Sequence, residues 1–304
     1  MAFHQFDAYH KGLHKETPVF ISKEEETSVL QKSFIEERIA THIGGFYALE
    51  CVINLLQQET GKTPVDLLLI IANGRAENDW MFLIERFANA VWKAGQPFRG
   101  LERINRSKFT GADSLTEKET GAIRELVIDA APKLAEDLKP VASVSIQKQM
   151  EEIQQLLHSK SYAAEIAEYL YNSNSVIRQK NAGPFISKEN QNEFVERKVR
   201  DEKIATNLAG FYALESGLNY FASKKNYVPS ILLKSIIDGS IAEPDMILFA
   251  RFANATWKAG QPFRGLDRIS RETFRPFYFL SHDDIEKDKV QIRAAAKFLI
   301  KQLG

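Results

Sequence analysis

One stretch of this chain occurs twice. The run Arg86 to Leu101 returns as Arg251 to Leu266, 165 residues on, with a single change, Val91 to Thr256. Two further anchors keep the same offset. Phe20-Ile21-Ser22-Lys23-Glu24 returns as Phe185-Ile186-Ser187-Lys188-Glu189, and Gly45-Phe46-Tyr47-Ala48-Leu49-Glu50 as Gly210-Phe211-Tyr212-Ala213-Leu214-Glu215. From Phe20 to Phe109 roughly forty of ninety positions are identical without a gap, and such a repeat dictates the architecture before any local pattern does. Whatever one copy folds into, the other must fold into something similar. The expectation is two tandem helical modules, 1–140 and 183–304, joined by a connector, 141–182. Repeated modules commonly pack about a twofold axis, so a pseudo-twofold arrangement, an internal version of a symmetric dimer, is expected.

Each copy reads as helices. Between Val29 and Gln58, the residues Ile35, Ile39, Ile43, Phe46, Ile53 and Leu56 recur at spacings of one helical face. Ile204, Leu208, Phe211, Leu218 and Phe221 repeat the stripe. A short apolar helix follows Pro64 and Pro229, where proline suits the first turn, and ends near Gly74 and Gly239. A third helix covers about Asp79 to Ala94, with Met81, Ile84, Ala88, Val91 and Trp92 as its apolar side. Pro97 opens a short fourth helix to about Lys108. The last begins after Ser114-x-x-Glu117 or Ser281-x-x-Asp284, a capping box and a near variant of it, and runs toward Leu138 and Leu303. Gly45 and Gly210 sit inside the first helices, which points to close helix approach there. The connector carries Ile146, Met150, Ile153 and Leu157, then Ile166 and Leu170, at helical spacing, and Asn172 to Gly183 reads as a polar loop. No alternating strand pattern stands out. The run Phe277-Tyr278-Phe279-Leu280 is the best strand candidate. The fold class is therefore all-α.

Composition narrows the function classes. With 304 residues, 44% apolar and 26% charged, the chain has the make-up of an ordinary globular protein, and each module can bury a core. Forty basic residues balance forty acidic ones. A zero net charge argues against bulk electrostatic binding of nucleic acid or membrane. The one cysteine, Cys51, has Ser216 as its counterpart and reads as a small core residue. Met1 to Lys15 has no apolar run of signal-peptide type, and Leu67 to Ala72 is too short to span a bilayer. A cytoplasmic protein that does not enter a membrane is expected.

The repeat singles out one set of polar residues. Arg86, Asn89 and Lys93 lie at i, i+3 and i+7 on the third helix, away from most of its apolar positions; Arg251, Asn254 and Lys258 match them. On the fourth helix Arg99, Arg103 and Arg106 lie opposite Phe98, Leu101 and Ile104, and Arg264, Arg268 and Arg271 match them. Arginine offers a planar donor fork suited to phosphate and carboxylate, and lysine adds a point charge. Trp92 supplies a stacking plate; Gln96 and Gln261 supply amides. The candidate ligand-binding set is Arg86, Lys93, Gln96, Arg99, Arg103, Arg251, Lys258, Gln261, Arg264 and Arg268. The competing expectation is that these cations pair with acidic residues of their own module, notably Glu102 or Asp267.

Glu50 and Glu215 fall at the edge of the first helix's apolar face, where a carboxylate is costly unless paired. A buried salt bridge to one of the repeated arginines is expected; a general acid or base is the alternative. His10 and His14 are four apart in the unrepeated start, with His4 the one other ligand in range, and His42 becomes Asn207, so no repeated metal site is expected. No dinucleotide fingerprint, phosphate loop, zinc-protease motif, nucleophile elbow or paired-cysteine motif is present, and no cofactor is expected. The leading expectation is a non-enzymatic binding or interaction protein that engages an anionic ligand or a protein partner. Nucleic-acid binding and an enzyme built on Glu50 or Glu215 are the alternatives.

Overall fold

A computed structural model describes residues 23–99, 103–104, 109–158, 161–162 and 191–303. His4, His10, His14, Glu102, Arg106 and the loop from Asn172 to Gly183 lie outside the described residues. Among the described residues all regular structure is helical, with no strand. In chain order the α-helices are α1 Lys23–Thr60, α2 Pro64–Ala72, α3 Asn78–Gly95, α4 Glu117–Ile128, α5 Ala130–Asp137, α6 Ile146–His158, α7 Gln191–Lys225, α8 Pro229–Asp238, α9 Glu243–Gly260 and α10 His282–Leu303. Among the described residues no helix is long and apolar enough to cross a membrane.

Local chemistry explains most of the boundaries. At the start of α2, Pro64 stands in the first turn and the Thr63 hydroxyl accepts from the Asp66 N–H at 3.2 Å. Helix α3 stops where Pro97 cannot supply an N–H, and the chain tightens into a 3-10 turn, Gln96–Arg99. Gln261–Arg264 repeats that turn, and a second one follows over Leu266–Ser270. The expected fourth helix is therefore made of 3-10 turns where it is described. The aromatic run is also a 3-10 turn, Phe277–Phe279, instead of a strand.

The last helix differs between the halves. In the second it is the single helix α10, with Ser281 accepting from the Asp284 N–H at 3.2 Å. In the first it breaks into α4 and α5 at Asp129, because Pro132 cannot bond back to the Ile128 carbonyl. Its capping box is Thr116 with Glu119, in place of the expected Ser114 with Glu117. Both pairs fit the sequence pattern. Ser114 instead closes the 3-10 turn Ala112–Ser114.

Four helices make the centre. Within each half, α1 packs on α3 and α7 on α9; across the halves, α1 packs on α9, α7 on α3 and α3 on α9. Helices α2, α4 and α5 lie outside the first pair, α8 and α10 outside the second. Most buried apolar residues form one core that runs through both halves, from Ile43 and Phe46 to Ile292 and Ala296, with Ala94, Ala209 and Tyr212 as a small second cluster. At the α3–α9 crossing Phe87 stacks on Phe252 with ring centroids 4.1 Å apart and planes 15° apart. Phe98 stacks on Phe263 at 5.7 Å and 11°. A Cβ on Gly95 would stand 2.9 Å from the Phe263 ring, and one on Gly260 would stand 2.8 Å from the Phe98 ring. Each glycine admits the other half's phenylalanine.

Packing is conserved in volume where identity is lost. A Cβ on Gly217 of α7 would run into the Phe249 ring of α9. The matched pair in the first half is Val52 and Ile84, both fully buried. One half places its bulk on one helix and the other shares it between two. Gly217→Val should destabilise the protein by about 1–3 kcal/mol or more through overpacking, and adding Phe249→Ile should recover most of that loss in a urea melt. A double variant no more stable than the single one would contradict this packing.

Candidate functional site

The repeated polar residues of α3 and α9 are buried. Arg86, Asn89, Lys93, Arg251, Asn254 and Lys258 are all nearly inaccessible to solvent. Their face was expected to point away from the core, and the reason it does not is the other half of the chain. Helix α3 buries one side on α1 and another on α7 and α9, while α9 buries one side on α7 and another on α1 and α3. Both helices are therefore covered on two sides, and the polar stripe faces the opposite half.

Three described ion pairs cross between the halves: Lys224 with Asp79 at the exposed edge, and two between matched positions. Lys258 on α9 donates to Glu50 Oε2 on α1, and both side chains are 0% exposed. Lys93 on α3 donates to Glu215 Oε2 on α7, where the carboxylate keeps 36% exposure. The two pairs join matched positions in opposite directions. The expected partner of Glu50 and Glu215 was an arginine of the repeat; it is the lysine, because Lys93 and Lys258 lie two turns further along their helices than Arg86 and Arg251. Aromatic contacts cross in the same reciprocal way. Tyr47 meets Phe274 edge-on at 5.1 Å, and Tyr212 meets Phe109 edge-on at 5.1 Å. Trp92 and Trp257 lie against the same two phenylalanines, at 6.1 and 5.9 Å.

The arginines one step along the stripe are solved differently in the two halves. Arg86 pairs with Asp113 and lies 3.4 Å over the Phe82 ring. Arg251 donates to Asn54 Oδ1 and, at 2.5 Å, to Gln58 Oε1, and lies 4.3 Å over the Phe277 ring. Each guanidinium lies over an aromatic face, but two carboxylates, Asp113 and Glu85, answer Arg86, and two amides answer Arg251. Asp113 has no charged counterpart, since neither Tyr278, at the offset of 165, nor Leu280, aligned through Ser114 and Ser281, carries a charge.

The remaining candidates sit nearer the rim. Gln96 and Gln261 are buried and donate to the Trp92 and Trp257 carbonyls at 3.3 and 3.4 Å. Arg103 is buried and donates to Gln96 Oε1 at 3.4 Å. Arg99, Arg264 and Arg268 are half-buried. The structure thus brings seven of the ten together inside, with three at the edge.

Burial and charge set the protonation of the inner pair. Burial works against the Lys258 ammonium, but the Glu50 carboxylate beside it outweighs this and raises its pKa. Burial pushes the Cys51 thiol far up, so it stays protonated and donates to Glu50 Oε2 at 3.4 Å. Burial likewise raises the Tyr47 hydroxyl. Burial lowers Arg251, against the pull of the Glu50 and Glu59 carboxylates. Among the described residues no cluster of three or more histidine, cysteine or acidic side chains is placed to hold a metal ion.

One further carboxyl belongs to this group. Asp288, on α10, is partly buried, and burial pushes its pKa up to about 7, with Lys258 pulling the other way. It too has no charged counterpart, since Gly121 stands in the place aligned through the serine caps.

No family model, no curated protein and no solved structure matches this chain.

An Asp288 pKa raised from its unfolded value of about 4 means that the native state binds more protons than the unfolded chain between about pH 4 and about 7. Stability conferred by this group is full below that window and is lost as pH rises through it. Asp288→Asn should therefore raise the melting temperature more at pH 8 than at pH 5. Equal gains at both values would show that Asp288 titrates normally in the folded protein.

Proposed function

We propose that this chain is a non-enzymatic interaction protein whose two matched halves pair face to face, about a pseudo-twofold axis, as an internal dimer. The observation that carries this reading is the reciprocal pair of ion pairs, Lys258 with Glu50 and Lys93 with Glu215. In a twofold interface each contact between positions i and j recurs between j and i, and a residue on the axis meets its own counterpart. The Phe87–Phe252 and Phe98–Phe263 stacks have that second character. The chain divides accordingly into 1–140 and 183–304, bridged through 141–182.

On this reading most of the repeated cationic set serves the pairing. Arg86, Lys93, Gln96, Arg103, Arg251, Lys258 and Gln261 hold the halves and their turns in register. The outer surface then meets a protein partner, and Arg99, Arg264 and Arg268 are the members of the set placed to touch an acidic group on it. A chain whose one cysteine is buried suits a reducing compartment, and we place it in the cytoplasm. The half-exposure of those three arginines also supports a second reading, in which they hold a small anionic ligand directly.

Thermal melts with sulfate, a nucleoside triphosphate and a short RNA, at low and high salt, separate the two. A ligand at a hundred times its dissociation constant adds about 2.7 kcal/mol. The protein-partner reading expects no selective shift beyond that of the Arg99→Ala, Arg264→Ala, Arg268→Ala variant. A shift confined to one ligand and lost in that variant would replace it with the anion reading.

A further inference from the structure

We propose that a groove between α8 and the turn at 103–104 docks an amphipathic helix of a partner protein, built on the pattern of α6. This inference rests on the pseudo-twofold reading and names the surface on which the interaction takes place.

The chain shows what such a groove holds. Helix α6 lies against α2 of the first half and against the turn Leu266–Ser270 of the second. Its residues Met150 and Ile153 are fully buried, and so is Ile269 in that turn. Gln149, also buried, accepts from the Val65 N–H at 3.2 Å and donates to the carbonyls of Ala142 and Val144. A helix thus bridges the two halves with aliphatic side chains and one backbone-capping amide.

On the pseudo-twofold reading the matched groove lies between α8 and Ile104, the counterparts of α2 and Ile269. Helix α8 packs on α10 and α7. Ser230, the counterpart of Val65, is exposed. Ile104, the counterpart of the fully buried Ile269, keeps 36% exposure. The neighbouring positions changed character in step with this. Lys62, Thr63 and Asp66 border α2, where Thr63 caps the helix and bonds to Asp66 at 2.7 Å. Their counterparts are Tyr227, Val228 and Ile231, exposed by 40%, 52% and 64%. Val228 stands at the cap of α8 without a side-chain cap bond. Three polar positions have become apolar while staying in water, and grouped exposed apolar side chains mark an interaction surface.

The patch is also held in shape. Tyr227 stacks on Phe221 at 5.7 Å and 12°, next to Asn226 in the left-handed conformation at φ 54°. Lys225 lies 5.0 Å over the Phe221 ring and bonds to Asp245 at 2.5 Å. An ordered apolar surface lowers the entropic cost of docking. The occupant that fits is a helix with aliphatic residues at i, i+4 and i+7, as in Ile146, Met150 and Ile153, and an amide side chain beside the second of them to accept from Ser230.

The test uses the full-length chain and a fluorescein-labelled peptide of residues 144–158, read by anisotropy. Saturable binding is expected. Ile231→Asp, which installs the residue of the matched position, and Ile104→Asp should each weaken it by about tenfold or more, since each sets a charge against an apolar face. Gln149→Ala in the peptide should weaken it as well. No saturation up to about 1 mM would overturn the inference while leaving the pairing of the halves untouched. Binding that neither variant alters would mean that the peptide displaces α6 from its own seat, and would overturn it too. Loss with Ile231→Asp but not with Ile104→Asp would remove the second wall of the groove, and the pseudo-twofold reading with it.

Discussion

Lys258 and Glu50, 208 residues apart in the chain, face each other from α9 and α1 with no exposed surface. Removing two charges from water costs several kcal/mol each, and their attraction returns that only when the geometry is good. A pair of this kind adds little net stability to the correct arrangement and makes a slipped one costly. If α9 moved along α1 by one turn, two unpaired charges would be left in the interior. The register of the central helices therefore hangs on this contact, and the stacked Phe87 and Phe252 lock the crossing between α3 and α9. The outer helices then follow, since α2 and α5, and α8 and α10, pack against one another on either side of that centre.

The halves are not equivalent, and the differences fall in a pattern. At the ion pairs, Glu50 is sealed and Glu215 partly open. At the arginines, the carboxylates of Asp113 and Glu85 answer Arg86, whereas the amides of Asn54 and Gln58 answer Arg251. At the short helices, Thr63 and Asp66 cap α2, whereas Val228 and Ile231 lie bare on α8. The run shared by α3 and α9 lies where the halves meet, and the divergent caps of α2 and α8 lie outside that centre.

Helices were legible in the sequence because most show an apolar period, and several a punctuating proline, glycine or serine cap. The repeat made Arg86, Lys93, Glu50 and their counterparts visible as a set. Their orientation was not legible. A periodic stripe shows that a helix has two faces, and Arg86, Asn89 and Lys93 look solvated until a second helix is known to cover them. The lysine partner of Glu50 was missed for the same reason, since pairing across halves leaves no trace in spacing. Asp113 and Asp288 act without counterparts, and comparing the halves with each other cannot find such residues.

The direct measurement is a pair of double-mutant cycles on folding free energy. One combines Glu50→Leu with Lys258→Met, the other Glu50→Leu with Lys93→Met. Each single change at the sealed pair should cost about 3–5 kcal/mol, while removing both partners should be close to neutral. The account predicts this strong coupling between Glu50 and Lys258, with simple additivity between Glu50 and Lys93. Coupling to Lys93 and additivity with Lys258 would mean that each half closes on itself, and would contradict the pairing of the halves.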